Sequence, residues 1–302
     1  MLKTFITCIM VAITATSLAA PADSTGLPGD HFSLEAALAM FKASANPSEF
    51  EKRINDSKNG VNNLDLNGDG RVDFLKIKTV GEGDDRMVVI SAVLSKDESQ
   101  DVAVIEISRQ GKERALLQIV GDEYLYGNSR VVEPYEEGEE DDIDRGPSAN
   151  VNGFTKDIWV NVWFWPCVTW FYGPGYIVYV SPWYWDFYPD WWMPWPPYTY
   201  VVFYGYCEPY HHHYHHVHVH RTARMHQTFY MPRRESSRQV VRKFERPVRE
   251  YRDKNPVPPR QPEKPMPKPS HTRPEIDRDQ HRDEDRKPTN PTPAPRGGRK
   301  PR

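Results

Sequence analysis

Apolar residues first recur at helical spacing and then change to the spacing of strands. Between 30 and 57, Leu34, Ala37, Leu38 and Phe41 fall on one helical face, and Phe50 and Ile54 lie one turn apart. Ser33 is placed to cap the first of these helices. Asn46, with Pro47 in the first turn and Glu49 close behind, starts the second. From 72 onward the pattern is strand-like, with runs at 72–80, 87–94, 102–108 and 115–120. Turn-forming segments at 81–85, 95–101 and 110–112 separate them. Connections this short join antiparallel neighbours. The pattern predicts an α+β fold: two N-terminal helices on one face of a four- to five-stranded antiparallel meander, within a domain at 20–134. About 100 residues is enough for one modest core.

The pattern then breaks down in stages. Residues 133–150 are rich in Asp and Glu and read as a solvated acidic linker. Residues 151–206 hold all nine Trp among many Tyr, Phe and Pro. No charged side chain lies between Ile158 and Trp185, but Pro166, Pro174 and Pro182 interrupt that stretch. Proline removes a helical hydrogen bond, which argues against a membrane-spanning helix. Three uses of the aromatics stay open: a packed layer on the domain, a patch at a membrane interface, and a stacking surface for sugar rings. A His-rich segment at 207–226 follows. The basic, Pro-rich remainder at 227–302 has few large apolar residues and reads as largely disordered, with 227–251 the exception.

The most explicit chemistry is at 65–76. Asp65, Asn67, Asp69 and Asp73 occupy positions 1, 3, 5 and 9 of a short loop, Gly70 holds position 6, and Arg71 offers its backbone carbonyl. Alternating carboxylate and amide oxygens suit Ca²⁺, a hard cation that takes six to eight oxygen ligands. An EF-hand needs Glu at position 12, and here that position is Lys76. The loop resembles the FG-GAP and dockerin types more closely, with Asp73 as the closing carboxylate and a strand-like run directly after it. It occurs once, so a repeat propeller is not implied.

Other candidates are less defined. His211, His212, His213, His215, His216, His218 and His220 form a tract whose imidazoles suit Zn²⁺, Cu²⁺ or Ni²⁺. On an extended segment His216, His218 and His220 share one side. The basic start at Lys3, the apolar run to Ala20 and the small residues before a cut after Ala19 read as a signal peptide at 1–19. Export places the chain in a secreted or periplasmic setting, where Cys167 and Cys207 either form a disulfide or remain two buried thiols. Charge is split along the chain. From Arg221 to Arg302 there are 23 Lys and Arg against 11 Asp and Glu, and the preceding part is acidic. The two halves can attract within or between molecules.

The segments Trp165-Pro166-Cys167-Val168, Tyr172-Gly173-Pro174-Gly175-Tyr176, Ser181-Pro182-Trp183-Tyr184-Trp185 and Tyr188-Pro189-Asp190-Trp191-Trp192-Met193-Pro194-Trp195 form a series. With the loop at 65–73 upstream, the chain resembles an uncharacterised family of secreted bacterial proteins common in Bacteroidetes, over 30–230. That resemblance implies a layout and no activity. The chain has no Gly-x-Ser-x-Gly, phosphate-binding Gly loop or His-Glu-x-x-His. The expected function is therefore calcium binding with a structural or interaction role at the cell envelope, without catalysis. The alternatives are transition-metal binding through the His tract, and binding or acting on glycans through the aromatics. Expected partners are an envelope component, a membrane surface or a glycan, with no nucleic acid.

Overall fold

The computed structural model describes residues 24–135 and 159–256. The expected signal peptide at 1–19, most of the acidic linker and the tail beyond 256 lie outside the described residues. Six strands form one antiparallel sheet in sequence order: β1 (Leu75–Glu82), β2 (Asp85–Val93), β3 (Ser99–Gly111), β4 (Arg114–Gly121), β5 (Arg130–Pro134) and β6 (Tyr214–Val217). Among the described residues seven α-helical segments accompany it. They are α1 (Leu34–Ala43), α2 (Pro47–Ile54), α3 (Glu123–Tyr126), α4 (Pro166–Tyr172), α5 (Tyr200–Cys207), α6 (Ala223–Met225) and α7 (Arg238–Lys254).

Local sequence explains the first two helices. The Ser33 side chain accepts from Ala36 N at 3.0 Å, and Asn46 accepts from Glu49 N at 3.0 Å, so both capping residues work as the sequence predicts. The inward faces of α1 and α2, with Leu38, Phe41, Phe50 and Ile54 fully buried, meet Ile77, Ile90, Ile105, Leu117 and Ile119 on the first face of the sheet. The aromatic stretch adds α4 to this core through Cys167, Val168 and Phe171.

The second face of the sheet is also covered, which departs from the one-sided arrangement. Met87, Val89, Val104, Val120 and Val131 pack against Met225 and Tyr230. Two-sided burial accounts for the unbroken apolar run from Met87 to Ile90, since a strand with one wet face alternates instead. The 20–134 segment therefore does not complete the fold: β6 comes from the His tract and pairs with β5 through Val131↔Val217 to Pro134↔Tyr214. At the opposite edge Thr79 N donates to Tyr179 O and Ser181 N to Ile77 O, both at 2.8 Å, so the aromatic stretch covers β1. The outer row of β1 peptide groups is thus partly paired, and β6 becomes the other edge.

The aromatics are divided between packing and exposure. Trp192 joins Phe74 and Val93 in a small cluster with Trp183, Trp185, Tyr188 and Trp195 around it. Ile177, Tyr184 and Met193 stay 71, 61 and 78% exposed. Among the described residues no helix is long and apolar enough to cross a membrane. α7 falls almost wholly within 227–251, the stretch that the sequence sets apart from the rest of the basic tail. Val240, Phe244, Val248 and Tyr251 recur at helical spacing, Val240 and Val248 are buried, and Ser237 caps the start by accepting from Val240 N.

Candidate metal-binding sites

The loop at 65–73 is held by its own backbone. Asp65 Oδ1 accepts from Gly68 N at 2.7 Å and Asp69 N at 3.1 Å, and its Oδ2 accepts from Gly70 N at 3.0 Å. Asn67 Oδ1 accepts from Asp69 N, and Asp69 Oδ1 from Arg71 N, both at 2.9 Å. These turns need left-handed backbone at Gly68 and Gly70, with φ of 81° and 80°, which a side chain resists. The neck is closed by Asp73, whose amide donates to Leu64 O and whose Oδ2 accepts from Leu66 N, each at 2.7 Å. Leu64, Leu66, Val72 and Phe74 are buried on either side of the neck, so the core fixes the loop at both ends.

Asp65, Asn67, Asp69 and Asp73 thus lie on one turn of chain, and the side chain of Arg71 is exposed. Asp73 is the buried member. Burial, reinforced by the charges of Asp65 and Asp69, pushes its carboxyl up to about 7 against the opposing Leu66 hydrogen bond and the Lys243 charge. Lys243 comes from α7 and donates to Leu66 O at 3.2 Å. Gln239 of the same helix donates to Asn67 O at 3.4 Å. Val72 N donates to Trp195 O at 2.9 Å. The loop is therefore where the first strand, the aromatic stretch and the C-terminal helix meet. At position 12, the Lys76 ammonium turns to Ser99 Oγ and Glu235.

The His tract does not act as one site. His211 packs edge-on against Tyr204, and His212 pairs with exposed Glu208 at 3.6 Å. The His213 carbonyl accepts from Tyr135 N, and the His215 ring stacks on Tyr135 at 4.1 Å. His216 Nε2 lies 2.9 Å from Glu35 Oε1, over the first face. Burial opposes charge on Glu35, but the His216 bond and the charges of His216 and Arg130 outweigh it and hold the carboxyl at about 2. His216 and His218 line an open cavity of about 840 Å³ with Glu35 and Arg130. The expectation that His216, His218 and His220 share one side fails because β6 ends at Val217 and the chain turns onto the second face.

There His220 meets two residues that the sequence reading did not single out. Glu106 is fully buried on β3, with Met87 opposite on β2 and Gln118 opposite on β4. His220 Nε2 lies 2.8 Å from Glu106 Oε2, and His226 Nδ1 lies 2.5 Å from Oε1. The Thr222 hydroxyl donates to Oε2 as well. Burial works against the charge on Glu106, yet the two imidazoles hold its carboxyl below the usual range. A signal was present in the sequence: one carboxylate inside the run Val102-Ala103-Val104-Ile105-Glu106-Ile107 needs a partner once that run is buried.

Cys167 and Cys207 are both free and buried, so the disulfide alternative is not what the structure holds. Cys167 packs in the core from α4, and Cys207 at the end of α5 donates to Gly60 O at 3.3 Å. Burial pushes both thiols up, Cys207 to about 12. The charge split is met partly inside the molecule. Arg234 pairs with Asp122 at 2.6 Å, Arg221 with Glu133 at 3.3 Å and Arg252 with Glu123 at 3.6 Å. The chain matches no family model, no curated protein and no solved structure.

Proposed function

We propose that this protein is a secreted or periplasmic calcium-binding protein with a structural and interaction role at the cell envelope, not a catalyst. The observation that carries the reading is the loop at 65–73. Four oxygen-bearing side chains sit on one backbone-ordered turn, the innermost carboxyl is buried and raised to about 7, and Lys243 is the cation that opposes this rise. Such a turn gains most from a divalent cation, because the ion relieves the mutual repulsion of three carboxylates and replaces a costly buried charge with a coordinated one. The junction of β1, aromatic stretch and α7 gives that ion a purpose: binding energy at the loop becomes stability of the whole assembly. Ile177, Tyr184 and Met193, each exposed on the aromatic stretch, are the apolar side chains offered to a partner.

Calorimetric titration of the chelator-treated protein with Ca²⁺ tests this, with Asp69→Ala as the control. Asp69 is exposed, so its loss leaves the fold intact. The expected result is one Ca²⁺ per chain, with a rise in melting temperature that Asp69→Ala loses. No heat and no thermal shift in the unsubstituted chain would overturn the reading.

A further inference from the structure

The geometry points to a second metal site on the other face of the sheet: Glu106, His220 and His226 bind a borderline divalent transition ion of the Zn²⁺ class. The ligand atoms, one per residue, all lie within 4.8 Å of one another, the one such group of three among the described residues. Two imidazoles and one carboxylate are a recognised zinc donor set that leaves a fourth position for water. Nitrogen donors disfavour Ca²⁺ and Mg²⁺, so this site and the loop at 65–73 take different ions.

The surroundings fix each ligand separately. Gln118 grips the chain on both sides of His220: its Nε2 donates to Val219 O at 2.9 Å and its Oε1 accepts from Arg221 N at 2.8 Å. His226 follows Met225, a side chain buried in the second core, and its amide donates to Thr222 O at 3.0 Å. Its ring also packs on Tyr230 at 4.8 Å. Glu106 is carried by the central strand β3 and takes the Thr222 hydroxyl as an outer partner. Outer partners of this kind orient ligands in metal centres. The two imidazoles come from one short segment, and the sheet supplies the third donor from more than a hundred residues away. An ion here ties the segment after β6 to β3 and closes the cover of the second face.

The test uses the full chain, stripped with a chelator and titrated with Zn²⁺, then with Co²⁺ as a spectroscopic probe. The proposal expects one equivalent of Zn²⁺ and visible Co²⁺ bands of a four-coordinate nitrogen–oxygen site. His226→Gln and His220→Gln should each lose more than the 10- to 100-fold in affinity that an outer partner is worth, about two decades or beyond. Triple replacement of His211, His212 and His213 by Gln should change nothing, and Asp69→Ala should keep full Zn²⁺ affinity. Unfolding in chelator shows whether each variant still folds, and the Co²⁺ spectrum of the unsubstituted chain stands independently of any variant. The proposal is overturned if the unsubstituted chain takes up no Zn²⁺, if its Co²⁺ spectrum is that of the hexaaquo ion, or if uptake follows His211–His213 and survives His226→Gln.

Discussion

Replacing Asp73 by Asn should stabilise the calcium-free protein and make it indifferent to calcium. The side chain is 5% exposed, and its Oδ2 accepts from Leu66 N, a bond that an Asn carbonyl can keep. A carboxyl lifted from 3.8 to about 7 holds its proton more tightly folded than unfolded. The sign follows from linkage. Below pH 4 both states are protonated and the residue is neutral in effect. As pH rises through 4 to 7 the folded state loses ground, by about 4 kcal/mol once Asp73 is ionised. The amide introduced by Asp73→Asn has no proton to lose and escapes that penalty. Urea unfolding at pH 8 in chelator should place Asp73→Asn above the parent by about that amount. Calcium at about 100 times its dissociation constant adds about 2.7 kcal/mol to a protein that binds it, so the gap should shrink by that much for the parent alone. A gap that is the same with chelator and with calcium would refute the assignment of Asp73 as a ligand. A variant less stable than its parent in chelator would refute the burial argument.

Two further outcomes rest on buried polar groups. Asn55 stands in for a neighbouring strand at the start of β1, donating to Leu75 O at 2.7 Å and accepting from Leu75 N at 2.8 Å. Asn55→Ala leaves both groups buried and unpaired and should lower stability by about 2–4 kcal/mol in urea unfolding, and a loss below about 1 kcal/mol would contradict the accounting. Glu35, held at about 2, adds stability that is present above pH 4.5 and is lost as pH falls toward 2. Acid titration followed by circular dichroism should show that loss, at most about 3 kcal/mol after screening through half-exposed His216, and Glu35→Gln should flatten it.

What could be read from the chain and what could not divides by distance along it. Ser33, Asn46 and the strands from β1 to β4 were legible because caps and strand periodicity are local properties. The loop at 65–73 was legible as a motif because its side chains bond to amides no more than seven residues away. β6 was not, because Tyr214-His215-His216-Val217 carries no strong apolar alternation and becomes a strand only by pairing with β5. For the same reason His220 looked like one more member of a tract, although its partners are Glu106 on β3 and His226 beyond the next turn. The stretch 227–251 stood out by its apolar residues, but its helical form did not, because many Arg and Pro247 dilute the stripe from Val240 to Tyr251.

The last strand has a consequence for how this molecule is made. Pro134 waits for Tyr214, 80 positions later, so synthesis from the N-terminus leaves the flank of β5 unpaired while the whole Trp-rich stretch emerges. During that interval a sticky ribbon end and a set of aromatic rings are available together to any neighbouring nascent chain. Truncation anywhere before residue 217 should therefore yield aggregates in place of a smaller soluble fragment, and the His-rich segment serves as the latch that ends this exposure.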